Sequence, residues 1–321
     1  MKDKKTLGLV TSFRKKQNGK DRICLHNNCE KNAINSHLLQ KNGIINNIAL
    51  DGHVIELGDT DFFKEENKVS QHKKIGINQA FSLKLFCNEH DTELFKSIEQ
   101  SEINFYNYRT SLLLSYRALC AEIRKKEINI EFFNWVLNQH NLNIDTEFIN
   151  IFLQGTVIGK RDLEFFKTHL ECEILSHQIS LPKFKFEVFE YSYIPVCASA
   201  IITFENQCNL SINVDPFAIT PVTFISVVPY KNKTTIICGY SINHTDNNLH
   251  AFIESWRNLT DVEFQISMTK LLAGHIETWC MSPSYFAKIP KNIKANFLNN
   301  WDSNIMNFAH EKSVNFNLFC Y

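Results

Sequence analysis

Glycine and proline are scarce, with 10 and 7 residues in a chain of 321. Such a chain has little room for flexible linkers, so its domains are expected to pack directly on one another. A surplus of either charge is also missing. Lys and Arg number 34 against 34 Asp and Glu, which excludes the global basic field of proteins that coat DNA. Any nucleic-acid contact must come from a local patch. Long apolar runs are lacking too. The longest apolar-leaning stretch, Tyr193 to Phe204, contains a proline and falls far short of the roughly 20 residues a spanning helix needs. Near the N-terminus only Leu7 to Val10 is apolar before the next basic cluster, which is not a secretory signal. The expectation is a cytoplasmic protein with no membrane partner. Its 10 cysteines are then thiols or metal ligands rather than disulfides. An apolar fraction of 44% with 21% charged residues belongs to a globular chain, not to a disordered one, a fibre or a coiled-coil rod.

The pattern along the chain predicts an α+β fold in three regions. Residues 1–100 are polar, hold most of the clustered Cys and His, and carry a hairpin signal at Asp51-Gly52. Residues 101–180 read as helical. Leu112, Tyr116, Leu119 and Ile123 share one helix face. A second helix is predicted over Ile130 to Asn138, and a third from Thr146 to about Glu173 with Asp145 as N-cap. In residues 181–321, four runs rich in Val, Ile, Phe and Thr read as strands: Lys185 to Tyr193, Val196 to Phe204, Val222 to Tyr230 and Thr234 to Ile242. Mostly short connections favour an antiparallel meander. Helices are predicted around Leu249–Leu259 and Val262–His275, with breaks at Pro283 and Pro290. This last region is the expected surface for a protein partner or for self-association.

Cys24 and Cys29 form a C-x4-C pair. After a further 58 residues, Cys87 and His90 form a C-x2-H pair. Two close pairs separated by a long loop is the arithmetic of a tetrahedral zinc site, because each short turn presents two ligands to one ion. Thiolate and imidazole are borderline-soft donors that suit Zn²⁺. Four protein ligands leave no open position, so such a site is structural. A knuckle first, then a ligand pair opening a helix-like run, is the layout of a treble-clef finger. The other reading is three separate thiols and a surface histidine.

Ser36-His37 ends a strand-like segment after the knuckle, in NAINSHLLQK. A knuckle, a strand ending in His, a long loop and a second ligand pair at a helix start resembles the zinc-bearing HNH endonucleases, a ββα-metal family, over about residues 20–100. The resemblance implies metal-assisted phosphodiester hydrolysis. His37 matches the general base that activates water, and Asn78 the residue that orients it. Asp91 lies where the family has a ligand to a catalytic Mg²⁺ or Mn²⁺. The resemblance departs in the length of the loop between His37 and Cys87 and at three residues. Ser36 stands where the family often has an acidic metal ligand, Asn78 lies nine residues before Cys87, and Leu94 replaces a common Lys. HNH-like modules fused to other domains resemble components of bacterial nucleic-acid defence. The alternative function is a non-catalytic zinc-finger protein that contacts nucleic acid or a partner protein.

Each of these residues has a plainer role open to it. His37 can cap a strand, Asp91 can cap a helix and Asn78 can serve a turn. The spacing of His53 and Glu56 suits a metal, but on a strand they fall on opposite faces. Lys2, Lys4, Lys5, Arg14, Lys15, Lys16, Lys20 and Arg22 lead into the knuckle, as a phosphate-contacting arm for DNA or RNA or as a solvated terminus. Arg124, Lys125 and Lys126 read as the basic end of a helix. Gly155 to Lys160 is one residue short of a phosphate loop and lies in a helical stretch. Cys120, Cys172, Cys197, Cys208, Cys238, Cys280 and Cys320 are scattered singly and read as inert thiols.

Overall fold

A computed structural model describes residues 4–57, 71–139, 145–176, 181–204, 217–304 and 312–320. Lys2 and Cys208 lie outside the described residues, as do the side chains of Lys4, Lys5 and Arg14.

The mixed helix and sheet architecture is that of an α+β protein. Among the described residues, nine strands fall in two antiparallel sheets. β1 (Asn35–His37) pairs with β4 (Ser82–Lys84). The other sheet contains β2 (His53–Leu57), β3 (His72–Gly76), β5 (Phe184–Ser192), β6 (Val196–Ile202), β7 (Thr223–Tyr230), β8 (Lys233–Ser241) and β9 (Trp279–Met281). Their spatial order is β3-β2-β9-β6-β7-β8-β5. β6, β7 and β8 form the expected meander. β5 does not: it pairs along its whole length with β8, at the far edge from β6. The short β9, too brief to stand out as a strand in sequence, joins β6 to β2. Strands from residues 1–100 therefore extend the C-terminal sheet. The Asp51-Gly52 turn is real but tight. Asp51 (φ 50°) and Gly52 (φ 69°) bring Leu50 opposite His53, while β2 pairs with β3 farther along the chain.

The sheet is covered on both faces, which is why its central strands read as nearly continuous apolar runs rather than alternating ones. Phe224, Val228, Ile237 and Cys197 face the helices that follow the N-terminal region. Ile225, Val227, Ile236 and Ala198 face the helices of the C-terminal region. Gly239 sits under the Phe186 ring, where a Cβ would lie 2.4 Å from ring carbons, so the close approach requires glycine.

On the first face lie α4 (Tyr108–Leu137) and α5 (Thr146–Leu175), after α1 (Lys4–Gly19), α2 (Asn46–Ile48) and α3 (Asn88–Leu94). Asn107 caps α4 by accepting from the Arg109 N–H at 2.8 Å, and Asp145 caps α5 by accepting from Phe148 N–H at 3.0 Å, the latter as expected. The first two predicted helices are one helix. The stretch between them, Arg124 to Ile130, has no Gly or Pro to stop propagation. Arg124, Lys125 and Lys126 thus lie mid-helix, and the macrodipole reading of them fails. Arg124 instead donates to the Ile23 carbonyl at 2.5 Å and the Lys84 carbonyl at 2.8 Å. On the second face are α6 (Asn247–Glu254), α7 (Asp261–Gly274), α8 (Pro283–Lys288) and α9 (Lys291–Asn304). Pro283 and Pro290 mark helix starts, where a missing N–H costs nothing. Among the described residues, no helix is long and apolar enough to cross a membrane.

Candidate metal centre

Residues 20–34, ahead of β1, form a loop pinned at both ends. Ile23 bridges Asn32, the Cys24 N–H donates to the Lys31 carbonyl at 2.9 Å, and Asn28 takes a left-handed φ of 57° to close the turn. Asparagine tolerates that conformation better than most residues. The knuckle is laid against the chain entering the second ligand pair: Leu25 N–H donates to the Leu85 carbonyl at 2.8 Å and Ile34 N–H to the Phe86 carbonyl at 2.7 Å. Cys87 then caps α3, and His90 stands on its first turn.

These elements bring the four predicted ligands together. The ligand atoms of Cys24, Cys29, Cys87 and His90 all lie within 4.8 Å of one another. Cys29 Sγ and Cys87 Sγ are 3.9 Å apart, and His90 Nδ1 is 3.4 Å from both Cys24 Sγ and Cys87 Sγ. A tetrahedral ion with Zn–S near 2.3 Å and Zn–N near 2.0 Å requires S···S edges of about 3.8 Å and S···N edges of about 3.5 Å. The donor set and the spacing therefore fit one metal ion such as zinc. Burial pushes the Cys24 thiol up to about 12. Cys87 is also raised by burial, but the His90 N–H and then the neighbouring Cys29 and Cys24 thiols outweigh this and hold it below the usual thiol range. A divalent cation at the centre supplies the charge that keeps such thiols deprotonated.

The residues of the HNH-like face are arranged differently from the family pattern. His37 pairs with Ser82 across the β1–β4 ladder, and its Nε2 lies 3.0 Å from the Ile77 carbonyl oxygen. A carbonyl only accepts, so Nε2 carries the proton and Nδ1 is the basic nitrogen. Burial holds this imidazole below its ordinary pKa, assisted by Lys41 and Arg117 and opposed by the Ile77 carbonyl. Asn78 does not hold the ring. Its Oδ1 accepts from Lys41 Nζ at 3.3 Å. Ser36 is wholly buried, and its hydroxyl accepts from the Phe86 N–H at 3.3 Å.

Asp91 faces a cation already. Its Oδ1 is 3.7 Å from Nη2 of Arg117, a side chain only 2% exposed that also donates to Glu99 Oε1 at 2.5 Å and covers the Phe95 ring at 4.0 Å. Mg²⁺ gives up its water reluctantly and needs carboxylate oxygens to replace it. Here one carboxylate is neutralised by a fixed guanidinium and the second family position is a serine bound to backbone. The guanidinium disfavours a catalytic divalent ion at this carboxylate, although the buried Asp91 Oδ1 accepts no hydrogen bond.

Sequence reasoning did not find Arg117, Glu171 or His26. Tyr116 was visible only as a core residue. Glu171 and Arg117 lie 81 and 27 residues beyond His90, and nothing in their local pattern links them to the knuckle. His26 carried a faint signal, since it lies inside the C-x4-C pair. The N-terminal basic run is partly spent on structure. Lys20 and Arg22 both bind Glu131, at 2.9 and 2.6 Å, whereas Lys15 and Lys16 are exposed on α1. No protein-family model matches the chain, and no curated protein or solved structure matches it.

Proposed function

We propose that residues 20–100 form a treble-clef module folded by one zinc ion, and that the module is a non-catalytic element that binds nucleic acid. The order of knuckle, strand pair and ligand-bearing helix start supports the treble-clef reading. The closed Cys₃His donor set supports a structural rather than a catalytic metal. The observation that carries the non-catalytic reading is the Arg117 guanidinium 3.7 Å from Asp91 Oδ1, a fixed positive charge that disfavours a second cation at that carboxylate. Lys15 and Lys16, on the helix leading into the knuckle, are the contacts proposed for phosphate.

A second reading keeps the nuclease. It is favoured by the His37–Ile77 contact, which leaves Nδ1 of a neutral imidazole as a base near pH 7. One experiment separates the two. Zinc-loaded protein is titrated into labelled single- and double-stranded DNA and RNA over a range of KCl, and the same mixtures with Mg²⁺ or Mn²⁺ are resolved for cleavage. The expected outcome is salt-dependent binding without cleavage. Changing Lys15 and Lys16 together to Glu should flatten the log–log salt slope by about 2. Metal-dependent cleavage that disappears in His37→Ala would establish the nuclease instead.

A further inference from the structure

The knuckle is held by more than its ligands. Glu171, near the end of α5, is 4% exposed. Its carboxylate accepts from the Asn27 backbone N–H at 3.0 Å, from Lys167 Nζ at 2.9 Å and from the Tyr116 hydroxyl of α4. His26 Nδ1 lies 3.5 Å from the same oxygen and 3.4 Å from the Tyr116 hydroxyl. Both His26 and Asn27 lie between the ligands Cys24 and Cys29. The His26 ring in turn packs on the ring of the ligand His90, with centroids 4.0 Å apart. A continuous path of contacts therefore runs from a buried carboxylate on α5, through the loop carrying two ligands, to a third.

A second carboxylate on the same helix provides the comparison. Glu173 is 5% exposed and accepts from the Tyr108 hydroxyl and the Lys183 N–H, each at 2.5 Å. It ties α5 to the start of α4 and to the chain entering β5, and neither of these bonds reaches the knuckle. Burying a carboxylate is costly, and each is tolerated only because its acceptors are filled. Glu173 fills them with groups that serve the helix pair, Glu171 with groups that serve the metal loop.

We infer that Glu171 is a positioning residue for the metal centre: it clasps the Cys24–Cys29 loop to α4 and α5 in its metal-binding shape and so slows metal release. This rests on the reading that Cys24, Cys29, Cys87 and His90 hold zinc. Release of the ion requires the knuckle to open, and opening must break the Asn27 and His26 contacts to Glu171. By linkage, a filled site also holds the end of α5 in place.

The test uses the full-length zinc-loaded protein and follows zinc transfer to a colorimetric chelator in wild type, Glu171→Ala, Glu171→Gln and Glu173→Ala. Outer-shell partners of metal ligands commonly change affinity by about 10–100-fold. Glu171→Ala is expected to release zinc faster by about that range, while Glu173→Ala keeps the wild-type rate although its melting temperature also falls. Glu171→Gln, whose amide oxygen still accepts from Asn27 and Tyr116, should lie between. Equal acceleration in both alanine variants, or none in either, overturns the inference and makes Glu171 a general core group. If Glu171→Ala does not fold, Glu171→Gln and Tyr116→Phe decide by the same comparison with Glu173→Ala. Wild-type protein that carries no zinc and takes up none overturns the metal reading itself, and that result is visible before any variant is made.

Discussion

Replacing Arg117 by methionine tests whether its guanidinium keeps a divalent ion from the Asp91 face. The guanidinium is 2% exposed and holds Glu99 Oε1 at 2.5 Å, Asp91 Oδ1 at 3.7 Å and the Phe95 ring at 4.0 Å. Methionine keeps most of the stem's packing and removes the charge. Removing one partner of a buried ion pair costs about 3–5 kcal/mol when the other charge remains buried. Glu99 is 38% exposed and can turn to water, so its share is strongly discounted by solvent. Asp91, at 21%, keeps part of the penalty. Loss of the buried cation–π contact adds about 1–2 kcal/mol. The expected destabilisation is about 2–3 kcal/mol, read in urea as a lower midpoint at unchanged slope. Manganese titration monitored by electron paramagnetic resonance supplies the second readout. Zinc-loaded wild type should bind no Mn²⁺ at this face. Arg117→Met should gain a weak site, because Asp91 and Glu99 become an unneutralised oxygen pair. The reasoning is refuted if wild type binds Mn²⁺ and loses it in Asp91→Asn, or if Arg117→Met changes stability by less than about 0.5 kcal/mol.

Cys87→Ser should abolish stoichiometric zinc, measured by elemental analysis, and expose residues 20–100 to protease. Structural zinc contributes about 10 kcal/mol or more in small fingers, comparable with the whole stability of a domain. His72 is packed against Phe286 and Phe297, with ring centroids at 4.8 and 5.5 Å, and burial lowers its pKa from 6.5 to about 4, with Lys294 adding to the effect. Between these values the unfolded chain binds the proton and the folded chain does not. Stability should therefore be full above about pH 6.5 and fall by up to about 3 kcal/mol towards pH 4; His72→Leu should flatten that stretch in denaturation curves taken across pH. Lys312 is 6% exposed, and its Nζ reaches the Asn304 carbonyl only at 3.5 Å. Burial pulls its pKa to about 8. The folded state thus binds fewer protons than the unfolded one between about 8 and 10.5, so this group's penalty is largest below pH 8 and fades as pH rises. Lys312→Met should raise thermal stability at pH 7 by about 1–3 kcal/mol, an increase that shrinks towards pH 10.

Local chemistry made much of this protein legible in advance. The Cys24–Cys29 and Cys87–His90 spacings named the four residues that cluster and could hold a metal ion, since each pair needs only a short turn to face one point. Asp145 announced the start of α5 because its carboxylate accepts a first-turn N–H whatever the helix packs on. The runs that became β6, β7 and β8 were visible because both faces of the sheet are covered, so most positions are apolar. Pro283 and Pro290 were read as breaks, and they stand where the next helices begin.

Features that depend on distant residues were hidden. β5 was legible as a strand, but whether it lies beside β6 or β8 depends on pairing along the whole of Phe184–Ser192 and on Phe186 fitting over Gly239. The mid-helix place of Arg124 to Lys126 had only a negative sign in the sequence, the lack of a Gly or Pro to stop propagation. Asp91 has the same side chain whether it binds a metal, caps a helix or pairs with a cation. Only the tertiary structure brings Arg117 of α4 beside it and Glu171 of α5 under the knuckle. The sequence by itself determined the Cys and His pairs that cluster and most of the longer elements, because these rest on contacts within a few residues. The partners of each buried charge were decided by the fold, because a charge leaving water must find its counter-charge or donors wherever packing places them.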